Sequence, residues 1–555
     1  MSKATVSTPF NPTVVSKAGG LIVQVGTPGI TPPRARAIMR ATIKDHLPGK
    51  WRTSVLDLDG RMFVISPDTR KGTISLGKAW KHVRKLNELS DIEFAEVDAI
   101  IPGHDPAPAQ ILQKKTALRG FSGGDKHKGC SKDHDWSLEK LNVLEAWKLR
   151  PARGGKRFGE GIQVGHPDTG YTEHPEIFDD RLLVAKGYDF EDDDPDPLDP
   201  LKGQAPGHGT STASVIQSDR DTDSDATVTG TAPLANLVPL RVSTSVIHLS
   251  FSKLVRALYK AIETDSHVVS MSLGGPFYSK ALDTAASEAV QNGLILVAAA
   301  GNHWPFVVYP AKLDQVIAVA ATNCQDKPWS GSARGKAVDV AAPGESVWRA
   351  RTKESADYRV SRSHGTSYAT AATAGIAALW LAHWGRERLI SKYGVSKLSV
   401  VFKNILVKQG VRQPANWKSK RYGAGIIDAH ALLKAPLPTR APARGFRFAA
   451  RPATAPGTDE LSEVLDYFPG VSRSRMTAIL ARTLKVDEDD LPEALESYGA
   501  ELRFHLASNP EMRQRLRAQA ATRRRGIRGL SASRLRSDTQ FQKQSSRSLR
   551  KLIGS

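Results

Sequence analysis

Apolar and polar positions fall into distinct regimes along the chain. Between residues 21 and 102 short apolar runs alternate with amphipathic stretches. LIVQVG reads as a strand, and ITPPRARAIMRATIKDHL as a helix with proline near its start. WRTSVLDLDGRMFVIS reads as two strands joined at Asp59-Gly60, a hairpin signal. LGKAWKHVRKLNEL gives a second helix and DIEFAEVDAII a last strand. The order β-α-β-β-α-β predicts a small ferredoxin-like unit. Residues 1–20 are polar and read as a flexible N-terminus.

A second regime spans residues 135–435. GIQVGHPDTG, NLVPLRV, HVVSMSLGG, LILVAAAGN and VIAVAAT each read as a buried strand ending in a turn. Helical stretches such as SKLVRALYKAIET and ALDTAASEAVQNG lie between them. This alternation predicts an α/β domain, with a mainly parallel sheet covered by helices on both faces. Functional sites in such sheets gather at the carboxyl ends of the strands.

The remaining segments lack these patterns. Residues 103–134, with Pro106, Pro108 and Gly123-Gly124, read as a linker. Residues 436–457 form a Pro/Arg-rich linker, 458–522 a helical module, and 523–555 a basic tail. The formal net charge over all 555 residues is +21. About half of it sits at the C-terminus, where residues 511–555 carry 13 Lys and Arg against Glu511 and Asp538. Such a tail suits nucleic acid or another anionic partner, or serves only solubility or docking.

Cys130 and Cys324 are the two cysteines and allow at most one bridge. They read as free thiols, with Cys324 a small buried hydrophobe after a strand. The N-terminus shows no apolar signal-peptide core, and no stretch reads as a transmembrane span, so the expectation is a cytoplasmic protein. The most apolar run, 366–384, contains hydroxyls and His383 and reads as a buried helix.

Four side chains at strand ends or helix starts have chemical potential. Ser367, two residues after Gly365, opens the apolar helix, where free N–H groups and the positive dipole end stabilise an oxyanion; an ordinary N-cap would look the same. His208 opens another helix in PGHGTSTASVI, and His364, three residues before Ser367, is its rival as a base. Asp168 ends a strand where a carboxylate can fix a histidine tautomer. Its DTG string also occurs in aspartic proteases, but no second copy is present to supply the paired carboxylate. Asn302 ends LILVAAAGN with an amide that can donate to an oxyanion.

Together, DTGYTEHPEI, GHGTSTASVI, MSLGG, VAAAGN, VDVAAPG and SHGTSYATAATAG resemble, in order, the motifs of the subtilisin-like serine proteases. DWSLEKLNVLEAWKL resembles the helix that opens their catalytic domain. The resemblance covers roughly residues 136–433 and implies a subtilisin-like three-layer fold and a serine endopeptidase acting on protein or peptide substrates. It implies Ser367 as nucleophile, His208 as general base, Asp168 as its orienting carboxylate, and Asn302 with the Ser367 N–H as oxyanion hole. It implies Ser272, Leu273, Gly274 and Gly275 as the edge that pairs with an extended substrate. Val308 falls where many members carry glycine at the base of the primary pocket, which predicts a narrowed pocket. Tyr368, Ala371 and the His166-Pro167 pair before Asp168 depart from the usual pattern.

The same resemblance makes residues 21–102 an inhibitory propeptide, with a processing site in 103–134. No cofactor is implied as required. The acidic run EDDDPDPLDP, 191–200, offers oxygen ligands for Ca²⁺ or forms a solvated loop. His127, Cys130 and His134 form a loose Zn²⁺-like cluster of no recognised spacing. The alternative from another class is a catalytically weak binding or scaffold protein, tethered to nucleic acid or a partner by its basic tail.

Overall fold

The computed structural model describes residues 17–99, 133–442 and 460–521, apart from 27–28, 70–71, 220–227, 248–249 and 355–356, together with 545–546 and 549–550. The linker around 103–132 and nearly all of the basic tail lie outside the described residues.

The N-terminal unit runs β1 (Lys17–Val25), α1 (Pro32–His46), β2 (Trp51–Val55), β3 (Met62–Pro67), β4 (Ile74–Ser75), α2 (Leu76–Asn87) and β5 (Ile92–Ala99). Its first strand begins four residues before the apolar run because Gly19 and Gly20 carry no side chain to announce it. Glycine is required there: a Cβ at Gly20 would lie 2.2 Å from the Ile65 carbonyl oxygen. β1 pairs antiparallel with both β3 and β5. The turn between β2 and β3 is held by Asp57, whose carboxylate accepts the Arg61 and Met62 N–H groups. Strand alternation sends side chains to two faces. Leu21, Val23, Phe63 and Ile65 pack under Trp80, Val83 and Leu86 of α2. Ile22, Met62 and Phe94 point the other way and join a core of the larger domain.

That domain is built on a nine-stranded sheet in the order β15-β16-β12-β11-β10-β9-β6-β8-β7. The strands are β6 (Gln163–Asp168), β7 (Tyr188–Asp189), β8 (Asn236–Arg241), β9 (Val268–Met271), β10 (Ile295–Ala299), β11 (Ile317–Thr322), β12 (Val340–Pro343), β15 (Val411–Arg412) and β16 (Ile426–Ile427). β13 (Glu345–Arg351) and β14 (Arg359–His364) form a separate antiparallel hairpin. In the main sheet only β15 runs antiparallel to its neighbour. β9, β10, β11 and β12 are buried at every position, because helices cover both faces.

On one face lie α4 (Ser252–Glu263) and α5 (Lys280–Gln291), packing Leu254, Leu258, Leu282 and Ala289 onto the sheet. On the other lie α3 (His208–Gln217), α6 (Thr366–Trp384) and α7 (Leu398–Gln409). α6 is buried from Thr366 through His383. Its small residues let it sit close to its neighbours: a Cβ at Gly375 would lie 1.8 Å from Thr231 Oγ1. The buried Thr370 and Thr373 hydroxyls donate to the carbonyls one turn back, which satisfies them within the helix.

The C-terminal module consists of α8 (Glu460–Asp466), α9 (Arg473–Leu484), α10 (Leu491–Ser508) and α11 (Pro510–Ala521). Val464, Phe468, Met476, Leu480, Leu502 and Leu516 form its core, which also takes in Phe306 and Val308 of the large domain. No helix among the described residues is long and apolar enough to cross a membrane.

The free-thiol expectation is corrected at Cys324, which is disulfide-bonded. The chain's other cysteine, Cys130, lies outside the described residues. Nothing in the local sequence marks the bridge at Cys324, since proximity across the fold decides it.

Candidate active site

The carboxyl end of β6 delivers Asp168, and the first turn of α3 delivers His208. The two turns interlock: a Cβ at Gly209 would lie 2.0 Å from the Gly170 carbonyl oxygen. His208 Nδ1 is 2.7 Å from Asp168 Oδ1, and the Thr169 N–H donates to the same oxygen at 2.7 Å. The Thr212 hydroxyl, one turn into α3, lies 3.3 Å from Asp168 Oδ2. Asp168 is 1% exposed. Burial alone would raise its carboxyl, but the adjacent His208 imidazole and its hydrogen bond outweigh that and hold it below the ordinary value.

Asp199, from the acidic loop, ties these turns together. Its Oδ2 accepts the Thr169 hydroxyl and the Gly207 N–H, each at 2.8 Å. Thr169 Oγ1 in turn accepts the Gly209 N–H at 3.0 Å. The backbone on both sides of His208 is thus anchored to the turn that carries Asp168. No periodicity or motif marks Asp199, because its contact spans a loop of irregular structure.

A second histidine faces the same carboxylate. His166, two residues before Asp168 on β6, is 1% exposed and lies 3.9 Å from Asp168 Oδ2. Its Nε2 is 3.0 Å from Thr212 Oγ1. Burial pushes this imidazole down to about 4, so it is neutral near pH 7. The sequence signal was a polar residue among apolar neighbours in the strand, but its partner on α3 was invisible.

Ser367 is the second residue of α6 and is 4% exposed. Its hydroxyl donates to the Ser272 carbonyl at 3.2 Å, and the Ser272 hydroxyl donates to the Ser367 carbonyl at 3.0 Å. Asn302 follows β10, and its Oδ1 accepts the Thr366 N–H at 2.9 Å and the Thr366 hydroxyl at 2.8 Å. Those two bonds fix the amide and turn Nδ2 outward. A Cβ at Gly365 would lie 3.4 Å from Asn302 Nδ2 and 3.6 Å from the Ser367 nitrogen. Both donors therefore border the space that glycine leaves open.

The predicted substrate edge lies beside this space but is partly occupied. The Gly274 N–H donates to Val246 at 3.0 Å, and Gly275 pairs with Tyr309. Val308 is buried between the edge and β10. A Cβ at Gly274 would lie 2.9 Å from a Val308 methyl, and one at Gly301 3.1 Å from both methyls. The valine fills the wedge between the two glycines.

Other candidates separate from the site. His364 ends β14, and its Nδ1 accepts the Ser346 N–H at 2.9 Å. Of the Zn²⁺-like cluster, His127 and Cys130 lie outside the described residues, and the His134 ring stacks on Trp348 at 4.0 Å. The acidic loop does not fit a Ca²⁺ cage. Asp189 and Asp192 both bind the buried Arg241 guanidinium, Glu191 binds Lys253, and Asp193 binds Arg256. Among the described residues no group of three or more His, Cys, Asp or Glu side chains is disposed to hold a metal ion.

The family model described as the subtilase family matches residues 159–409. Thermitase of Thermoactinomyces vulgaris is 33% identical over 251 residues, covering 45% of this chain and 82% of thermitase. Subtilisin E of Bacillus subtilis is 31% identical over 284 residues, covering 50% of this chain and 66% of that protein. Fervidolysin of Fervidobacterium pennivorans, a keratinolytic enzyme related to subtilisin, shares the fold with a TM-score of 0.55 at 18% identity, over 79% of this chain and 63% of that one.

The buried His166 sets an expected acid response. Its folded-state value lies below the ordinary 6.5, so the unfolded chain takes up the proton first. The stability held by the neutral ring is present above pH 6.5 and is lost as pH falls toward 4. In a Ser367→Ala background, wild-type His166 should lose about 2–3 kcal/mol more between pH 7 and pH 4 than His166→Leu does. Denaturant unfolding at each pH reads this difference, and parallel stability profiles would refute it.

Proposed function

The chain belongs to the subtilase family, the subtilisin-like serine endopeptidases, and we propose that it cleaves peptide bonds through Ser367, His208 and Asp168. The observation that carries this reading is the 2.7 Å bond from the buried Asp168 carboxylate to His208 Nδ1. It fixes the proton on Nδ1 and leaves Nε2 free to accept. For the reaction the Ser367 hydroxyl must leave the Ser272 carbonyl and donate to Nε2.

The Ser367 oxygen then attacks the scissile carbonyl while its proton passes to His208. The developing oxyanion lies between Asn302 Nδ2 and the Ser367 N–H, at the positive end of α6. The imidazolium returns its proton to the leaving amine, which departs and leaves an acyl-enzyme. Water, deprotonated by His208, releases the acid and restores Ser367. Asp168 stays ionised throughout.

An extended peptide takes its main-chain bonds from Ser272 to Gly275, displacing Val246 from Gly274. Val308 limits the primary pocket to small and medium side chains. The N-terminal unit acts as the inhibitory propeptide, cut from the protease within 103–134. Its docking supports this role: Glu96 accepts the Ser279 hydroxyl and the Lys280 N–H at the start of α5, and Asp98 accepts from Ser250 and Ser252 at the start of α4. Carboxylates at helix N-termini are favoured by the dipole and by unpaired N–H groups.

A fluorophosphonate probe should label wild type and lose its target in Ser367→Ala. His208→Ala should abolish labelling and His364→Ala should retain it; the reverse pattern would overturn the assignment of the base. Intact mass should show a shortened chain for wild type and the full chain for Ser367→Ala. Asn302→Ala should lower kcat by about 10²–10³ with little change in KM, the scale set by subtilisin itself as the reference case for such an amide. Val308→Gly should shift peptide-library preference toward large aromatic side chains, and an unchanged profile would exclude Val308 as the pocket's limit.

A further inference from the structure

The C-terminal helices are the part of the chain to which neither the reaction nor the docking of the N-terminal unit assigns a task. They touch both partners of that docking. On the protease side, Glu463 of α8 is 3% exposed; it accepts the Tyr309 hydroxyl at 2.9 Å and Lys312 Nζ at 2.7 Å. The Tyr467 hydroxyl donates to the Pro276 carbonyl at 3.3 Å, and the Tyr467 ring meets Phe306 edge-on at 4.8 Å. These contacts fix the module to the large domain.

On the other side, α10 meets α2 of the N-terminal unit. Arg84 Nη1 lies 2.7 Å from Glu501 Oε2, and the guanidinium sits 5.0 Å over the Tyr498 ring. Glu501 is 1% exposed, and its carboxylate also accepts the Ser546 N–H and hydroxyl. Phe504 stands between the two partners: its ring is 6.1 Å from Trp80 of α2 and 5.2 Å from Phe277 of the large domain. A cavity of about 220 Å³, lined by residues of all three parts, lies at this junction.

We propose that the C-terminal helical module is a clasp, in which α10 holds the N-terminal unit through Arg84–Glu501 and Trp80–Phe504 while α8 holds the protease. The unit then stays docked after the connection through 103–132 is cut. Its consequence for activity rests on the reading of that unit as an inhibitor, but its binding does not. The physical basis is twofold. A unit held at two surfaces leaves only when both let go, so each raises the effective concentration at the other. And loss of Arg84 takes one cation from the buried Glu501 carboxylate, leaving it to Ser546 and His505.

The test uses the full chain carrying Ser367→Ala, with a cleavage site for an added protease of unrelated specificity inserted within 103–132. After cleavage the N-terminal fragment should co-elute with the rest of the chain. Arg84→Ala and Phe504→Ala should each raise its dissociation rate at least about 30-fold. Arg84→Ala lies on the fragment, so it weakens the contact without disturbing the C-terminal helices. Adding Glu501→Gln to Arg84→Ala should cost less than the two single effects combined. Dissociation rates within about twofold of the parent for both Arg84→Ala and Phe504→Ala would overturn the clasp. Glu96→Ala, which weakens only the direct contact with α5, should speed release whether or not the clasp exists. Because release is read in a Ser367→Ala parent and none of the added substitutions touches the catalytic residues, failure of the clasp is separable from failure of the protease reading, which the probe labelling of wild type reports.

Discussion

The hydrogen bond between the buried Asp168 carboxylate and His208 is the constraint on which the rest of the site depends. A carboxylate at 1% exposure survives only with its oxygens engaged. Here one oxygen takes the imidazole and the Thr169 N–H, and the other faces Thr212 and His166. Each partner comes from a fixed element, so the charge and the geometry stabilise one another. Asp199 extends the network outward, locking the turn before His208 to the turn after Asp168.

The parallel sheet explains why these groups stand at strand ends and helix starts. Its inner strands are buried at every position because both faces are covered, so the catalytic candidates stand at their ends. Asp168 and Asn302 stand at two such ends, and Ser367 at the start of the helix that crosses beneath them. That helix reaches its place through small residues: any side chain at Gly375 would collide with Thr231. The packing of α6 and the position of Ser367 are therefore one requirement.

The charge of the chain divides along the same lines as its structure. Residues 522–555, beyond α11, carry 10 Lys and Arg against Asp538, a net +9 of the chain's +21. Within the folded parts, charge is paired locally and often buried, as at Arg241 with Asp189 and Lys403 with Asp339. The acidic loop that looked suited to a cation is organised by the chain's own arginine and lysine side chains. The Arg241 guanidinium sits between the Asp189 and Asp192 carboxylates, which would otherwise repel.

The sequence by itself determined the elements and the chemical candidates. Period-two and period-3.6 apolar patterns are local, so the strands from Gln163 to Thr322 and the helices between them were legible. Asp168, His208, Asn302 and Ser367 were legible too, since each stands in a short motif at the end of such an element. The residues alone left His364 as a rival base, and only the family resemblance pointed to His208, because the choice depends on distance across the fold. His208 rather than His364 lies against Asp168, although His364 is nearer to Ser367 in sequence. His166 and Asp199 join the same carboxylate network without any motif. Cys324 is bridged where a free thiol was expected. Only the tertiary structure decided that α10 touches both the N-terminal unit and the protease. Such contacts form between surfaces hundreds of residues apart, and no local pattern of side chains records which surface will face which.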